Sequence, residues 1–98
     1  VRDVQSDPQI GAQLAQEFID LGLPAVIGSD ASAVTLAIAD LFQQSGVVLI
    51  SPSTSTPALR GSGSYIYRNY PSDEFEAVNV ANYSAYCACL PVRAKDVR

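Results

Sequence analysis

Four consecutive apolar residues, Val47-Val48-Leu49-Ile50, stand between Gly46 and a hydroxyl-rich run that begins at Ser51. Three of the four are β-branched. A run this short, with a breaker on each side, is the clearest strand of the chain. Ala25-Val26-Ile27, closing at Gly28, suits a strand buried on both faces, as in a parallel sheet covered by helices, and Tyr65-Ile66-Tyr67-Arg68 reads as a further strand. Val1 to Val4 is a short strand-like piece at the start.

Helical patterns separate these runs. Asp7 and Pro8 make a helix start, with Asp7 as N-cap and Pro8 at the first helical position. Ile10, Leu14, Phe18 and Leu21 follow at helical spacing until Gly22, and Pro24 prevents resumption. Val34, Ala37, Ile38, Leu41 and Phe42 mark a second amphipathic helix, stopped at Gly46. Pro71-Ser72-Asp73-Glu74 opens a third, with Ser72 as cap and acids where they favour the dipole. That helix carries two apolar stripes, one through Phe75, Val78, Ala81, Ala85 and Cys89, the other through Val80, Tyr83, Cys87 and Leu90, and Pro91 ends it. Val92 to Arg98 then resembles the approach to another strand. The order β-α-β-α-β-loop-β-α predicts an α/β fold, a three-layer αβα arrangement around a mostly parallel, doubly wound sheet.

Composition narrows the function. The 98 residues contain no histidine, which excludes a Ser-His-Asp or Cys-His nucleophile, an imidazole base and a histidine metal ligand within this segment. Six basic against ten acidic residues give a net charge of −4, without the electrostatic footprint of a nucleic-acid or anionic-membrane binder. The apolar runs fall far short of the ~20 residues of a membrane-spanning helix.

In open parallel sheets, ligands lie beyond the carboxyl ends of the strands. Two loops occupy that end, Gly28 to Ser32 and Ser51 to Thr56, and both are rich in hydroxyls. Ser29 and Ser32 sit where a helix begins, with backbone N–H groups free to receive a carboxylate. Ser53, Thr54, Ser55 and Thr56 offer hydroxyls that both donate and accept. Together the loops suit a zwitterion, carboxylate to the first and ammonium to the second. The same residues also read as ordinary caps and turns.

The segments Val26-Ile-Gly-Ser-Asp-Ala-Ser-Ala-Val-Thr-Leu-Ala37 and Gly46-Val-Val-Leu-Ile-Ser-Pro-Ser-Thr-Ser-Thr-Pro-Ala-Leu59 resemble the type I periplasmic binding proteins, most of all the branched-chain amino-acid branch of ABC-transporter substrate-binding proteins. Val4 to Pro8 and Tyr67 to Asp73 fit the same pattern, so the resemblance covers essentially the whole chain. It implies a two-lobed clamp holding a small polar solute, an amino acid first among them, outside the cytoplasm, in the periplasm or on a lipoprotein, for delivery to ABC permease membrane subunits. It implies no enzyme activity and no cofactor. By this likeness Ser32 and its backbone N–H receive the ligand carboxylate, Ser53 gives a backbone carbonyl, and Ser55 gives a hydroxyl to the ammonium. Ala31 stands where the family often has a second serine, and Asp30 sets a negative charge beside the carboxylate position. A ligand-sensing domain of the same fold and an α/β enzyme fragment are the alternatives.

The resemblance further implies that residues 1–98 are a partial N-terminal lobe, lacking its first strand and the second lobe. That strand would lie between Val1–Val4 and Ala25–Gly28. Val1–Val4 is therefore expected to be loose or paired to something outside the family pattern. The segment alone is expected to show no measurable ligand affinity, because the cleft needs both lobes.

Of the remaining features, Cys87 and Cys89 read as packing residues, since two positions apart on a helix they face away from each other. Tyr65, Tyr67 and Tyr70 read as strand-face packing. Arg68 reads as a structural ion pair with Asp73 or Glu74.

Overall fold

A computed structural model of the chain describes residues 1–89. The expected helix end at Pro91 and strand approach at Val92–Arg98 lie outside these residues, and the Cys89 expectation falls on a side chain outside the described ones. The elements are α1 (Pro8–Asp20), β1 (Ala25–Ile27), α2 (Ser32–Ser45), β2 (Val48–Ser51), a short 3₁₀ turn (Pro57–Leu59), β3 (Ile66–Arg68) and α3 (Asp73–Cys89). The strands form one parallel sheet in the order β1-β2-β3. This is a partial αβα fold.

α1 starts as its sequence dictates. The Asp7 carboxylate accepts the Gln9 N–H at 2.7 Å, and Pro8 occupies the first helical position. α2 stops at Gly46, which takes the left-handed φ of 68° while the Val47 N–H donates back to the Phe42 carbonyl at 3.0 Å. The two helices lie against each other through small residues. A Cβ on the buried Gly11 of α1 would stand 2.5 Å from Cγ1 of Val34, so this contact has room for glycine alone.

The core is the buried cluster of Ala15, Val34, Ile38, Phe42, Val47 and Leu49, with Val26 and Ile66 packed against it. Val26, Leu49 and Ile66 are neighbours in the strand register and point the same way, toward α1 and α2. Leu49, on the central strand, is fully buried.

The opposite face behaves differently. Ile27, Ile50 and Tyr67 are also register partners, and all three are exposed, Ile27 to 78%. The expectation that Ala25–Ile27 is buried on both faces is therefore wrong: β1 is an edge strand, and α1 and α2 both cover the same side of the sheet. Tyr67 is exposed for that reason, and Tyr65 before the strand and Tyr70 in the loop after it are exposed as well, contrary to the strand-face packing expected of all three. α3 does not cover this face. It projects from the body, giving the molecule extents of 60 × 26 × 17 Å, and Phe75, Val78, Val80, Tyr83 and Tyr86 on it are exposed. The described part of its two stripes is thus largely exposed, with Phe75 and Val80 beside Tyr70 and Pro71 at the helix start. Cys87 is half-buried and free.

Val1–Val4 is not a strand. It runs as an irregular segment into a turn in which Gln5 and Ser6 take positive φ, closed by the Asp7 N–H on the Val4 carbonyl at 2.8 Å. Arg2 pairs with Glu17 at 2.9 Å and holds the segment against α1. With no strand neighbour among the described residues, strand geometry has nothing to sustain it; the segment is unpaired, but Val4 packs on the core and it is held rather than loose. A groove of about 380 Å³ separates Val1–Val4 from β1, with Leu14, Phe18 and Phe42 among its lining residues.

Candidate functional site

All three strands end on the same edge of the body, and the segments that follow them meet there. The β1–α2 loop runs from Gly28 to Ala31, the segment after β2 from Pro52 to Thr56, and the β3–α3 loop from Asn69 to Ser72. Backbone hydrogen bonds join the last two, since the Asn69 N–H donates to the Ser51 carbonyl and the Asp73 N–H to the Ser55 carbonyl, each at 2.9 Å.

The first two segments are joined by hydroxyls. Ser29, Thr35, Ser51 and Thr54 are all buried. The Thr35 and Thr54 hydroxyls lie 2.7 Å apart, and those of Ser51 and Thr54 2.6 Å apart. Three hydroxyls converge on the Ser29 carbonyl, from Ser51 at 2.6 Å, Thr35 at 3.2 Å and Thr54 at 3.3 Å. Ser51, Thr54 and Thr35 carry one proton each, enough for the three shortest of these contacts, so the burial of the hydroxyls is matched by hydrogen bonds. The network fixes the loop after β1 against the loop after β2.

Above it lies a half-exposed rim formed by the predicted residues. Ala31 is the N-cap of α2 but supplies no side-chain cap, and Ser32 is the first helical residue. The first bond of the helix runs from the Thr35 N–H to the Ala31 carbonyl at 2.9 Å, so the N–H groups of Ser32, Ala33 and Val34 precede the helical ladder and are without intrahelical acceptors. Across from them, the Ser53 hydroxyl donates to the Asp30 carbonyl at 3.4 Å, which brings the two loops together at the surface. The Ser55 carbonyl accepts from Arg68 at 3.1 Å as well as from Asp73 N–H, which leaves the Ser55 hydroxyl as that residue's available group.

Several expectations change at this level. Thr54 belongs to the buried network and does not reach the rim, while the Thr56 hydroxyl oxygen accepts the Ala58 N–H at 3.3 Å as the cap of the 3₁₀ turn. Arg68 does not pair with Asp73 or Glu74. Its guanidinium holds the carbonyls of Ser55 and Thr56, at 3.1 and 2.8 Å, while Glu74 pairs with Arg60. Ser72 stands at the head of α3 and its carbonyl accepts from Phe75 N–H at 2.9 Å, but its hydroxyl is buried without a partner and makes no cap. Thr35 was missed as a site-building residue. Its signal was a polar side chain on the same helical stripe as Ile38 and Phe42, a place where a hydroxyl is buried and must find partners.

A sequence profile of the periplasmic binding protein family matches residues 1–85. The chain belongs to that family. This is a non-enzymatic binding class. Among its relatives, the Leu/Ile/Val-binding protein homolog 2 of Brucella abortus is 34% identical over 55 residues, covering 56% of this chain and 15% of that protein. The leucine-specific-binding protein of Salmonella typhimurium is 29% identical over 82 residues, 83% of this chain and 22% of that one. A solved ABC transporter substrate-binding protein from Desulfitobacterium hafniense superposes with a TM-score of 0.78 at 32% identity, over 87% of this chain and 26% of its own. The 98 residues therefore span about a fifth of the length of these curated relatives.

Proposed function

We propose that residues 1–98 form most of the N-terminal lobe of an extracytoplasmic receptor, periplasmic or lipid-anchored, that captures a small polar solute for the membrane subunits of an ABC transporter. An amino acid is the solute that the rim suits best. Ser32, through its hydroxyl and the open N–H groups of the first α2 turn, takes the carboxylate. The Ser53 carbonyl and Ser55 hydroxyl take the ammonium, and the small Ala31 leaves space beside them. The rest of the receptor supplies the second lobe, which closes over the rim.

The observation that carries this reading is the pinning of the rim. Its two loops are fastened to each other beneath the surface by Ser29, Thr35, Ser51 and Thr54, which lowers the ordering cost of presenting Ser32, Ser53 and Ser55 on binding. The names of the relatives support the solute class.

Titration calorimetry on the complete two-lobed chain with a panel of amino acids and amides tests the reading. Binding of at least one, weakened about tenfold or more by Ser32→Ala or Ser55→Ala, is expected. A folded chain that binds none of the panel would overturn it.

A further inference from the structure

Asp30 sits at the centre of the rim and is bound on both sides. Its carbonyl receives the Ser53 hydroxyl from the opposite loop at 3.4 Å, and its carboxylate Oδ1 accepts the Ala31 N–H at 2.9 Å. Ala31 N–H is also within reach of the Ser29 hydroxyl, at 3.2 Å. The carboxylate is thus held at the head of α2 and remains exposed.

Among the described residues every arginine is engaged elsewhere. Arg2 pairs with Glu17, Arg60 with Glu74, and Arg68 with two backbone carbonyls. Asp30 makes no ion pair among the described residues, although Val1 and Arg2 line the same groove. Arg68 lies under the far loop, at Ser55 and Thr56. That charge is shared with the Ser55 and Thr56 carbonyls, and Asp73 is joined to Ser55 there, so the exposed carboxylate of Asp30 is the charge that marks the α2 side of the rim.

A zwitterion whose carboxylate approaches the first turn of α2 meets the Asp30 charge next to it, and a second carboxylate on the solute worsens this. A further positive group on the solute offsets it. We infer that Asp30 is a specificity-determining residue of this rim and selects solutes that carry a net positive charge, basic amino acids or amines, over neutral zwitterions and over anions. The inference rests on the receptor reading above. A lobe closing over the site excludes water, and a carboxylate that is weakly felt in solvent acts more strongly there.

The test compares arginine, leucine and glutamate by calorimetry on the complete chain, in the wild type, Asp30→Asn and Asp30→Glu. Wild type is expected to bind arginine about tenfold more tightly than leucine, with glutamate weakest. Asp30→Asn loses about that factor in the preference for arginine over leucine, with leucine and glutamate bound more tightly than by the wild type, while Asp30→Glu keeps the preference. On the wild type alone, rising ionic strength weakens arginine binding and leaves leucine nearly unchanged, a readout that stands even where Asp30→Asn does not fold. An unaltered order in Asp30→Asn, or a wild type that prefers leucine or glutamate, overturns this inference and leaves the receptor reading intact. Binding of none of the three together with none of the wider panel overturns both.

Discussion

The hydroxyls of Thr35 and Thr54, 19 positions apart in the chain, lie 2.7 Å from each other in a place closed to solvent. One belongs to the first turns of α2 and the other to the loop after β2. The contact, with Ser51 and the Ser29 carbonyl around it, turns two loops into a single unit.

Thr54→Val keeps the shape of the side chain and removes its hydroxyl, leaving Thr35 and Ser51 to find other partners in a buried space. The expected loss is about 1–3 kcal/mol, read as a lowered midpoint in urea unfolding. The half-exposed Ser55→Ala is expected to change stability by less than about 0.5 kcal/mol in the same experiment.

The Gly11–Val34 contact predicts a coupled pair. Gly11→Ala drives its methyl into Val34 and is expected to cost about 1–3 kcal/mol through overpacking. Val34→Ala alone also destabilises, by opening the core. Combined, the two are expected to cost less than the sum of the singles by at least about 0.5 kcal/mol in a double-mutant cycle. Additive losses would mean that the helices do not meet at this point.

Removing the guanidinium of Arg68 frees the Ser55 and Thr56 carbonyls. Arg68→Met, which keeps much of the stem, is expected to lower stability by about 1.5–3 kcal/mol, the range for hydrogen bonds to a charged group. Glu74→Gln, which disturbs the exposed Arg60 pair and one charge in the first turn of α3, is expected to cost no more than about 1 kcal/mol.

Exposure along α3 predicts weak local protection. Its amides are expected to exchange hydrogen much faster than those of α2 around Ile38 and Phe42, because few buried contacts hold the helix down. Equal protection of the two helices would contradict the projecting position of α3.

What could be read from the residues divides along a physical line. Asp7, Pro8 and Gly46 act through their own backbone and near neighbours, so the ends of α1 and α2 were legible. Val34, Ile38 and Phe42 lie on one stripe, and that stripe is the core. The placing of both hydroxyl-rich loops beyond the strand ends followed from the β-α alternation alone.

The failures concern what an element meets. Val1–Val4 has the residues of a strand but no strand partner among the described residues, and strand geometry depends on one. Ile27 is as apolar as Leu49, yet it is exposed because it faces the side of the sheet that α1 and α2 leave open. The stripes on α3 report that its residues favour burial and do not say against what. Arg68 was assigned to Asp73 or Glu74 by proximity in sequence, whereas its position in the fold offers the carbonyls of Ser55 and Thr56. Thr54 and Ser55 are adjacent hydroxyls with opposite fates, one buried and one on the rim. Only the path of the loop separates them.

The central claim is that Ser32, Ser53 and Ser55 form one half of a solute site on a pinned rim. A crystal structure of the complete two-lobed chain with its solute bound measures this directly. The account predicts a solute group within hydrogen-bond distance of the Ser32 hydroxyl or N–H, and another at the Ser53 carbonyl or Ser55 hydroxyl. A solute bound elsewhere, with these residues facing only solvent, would contradict it.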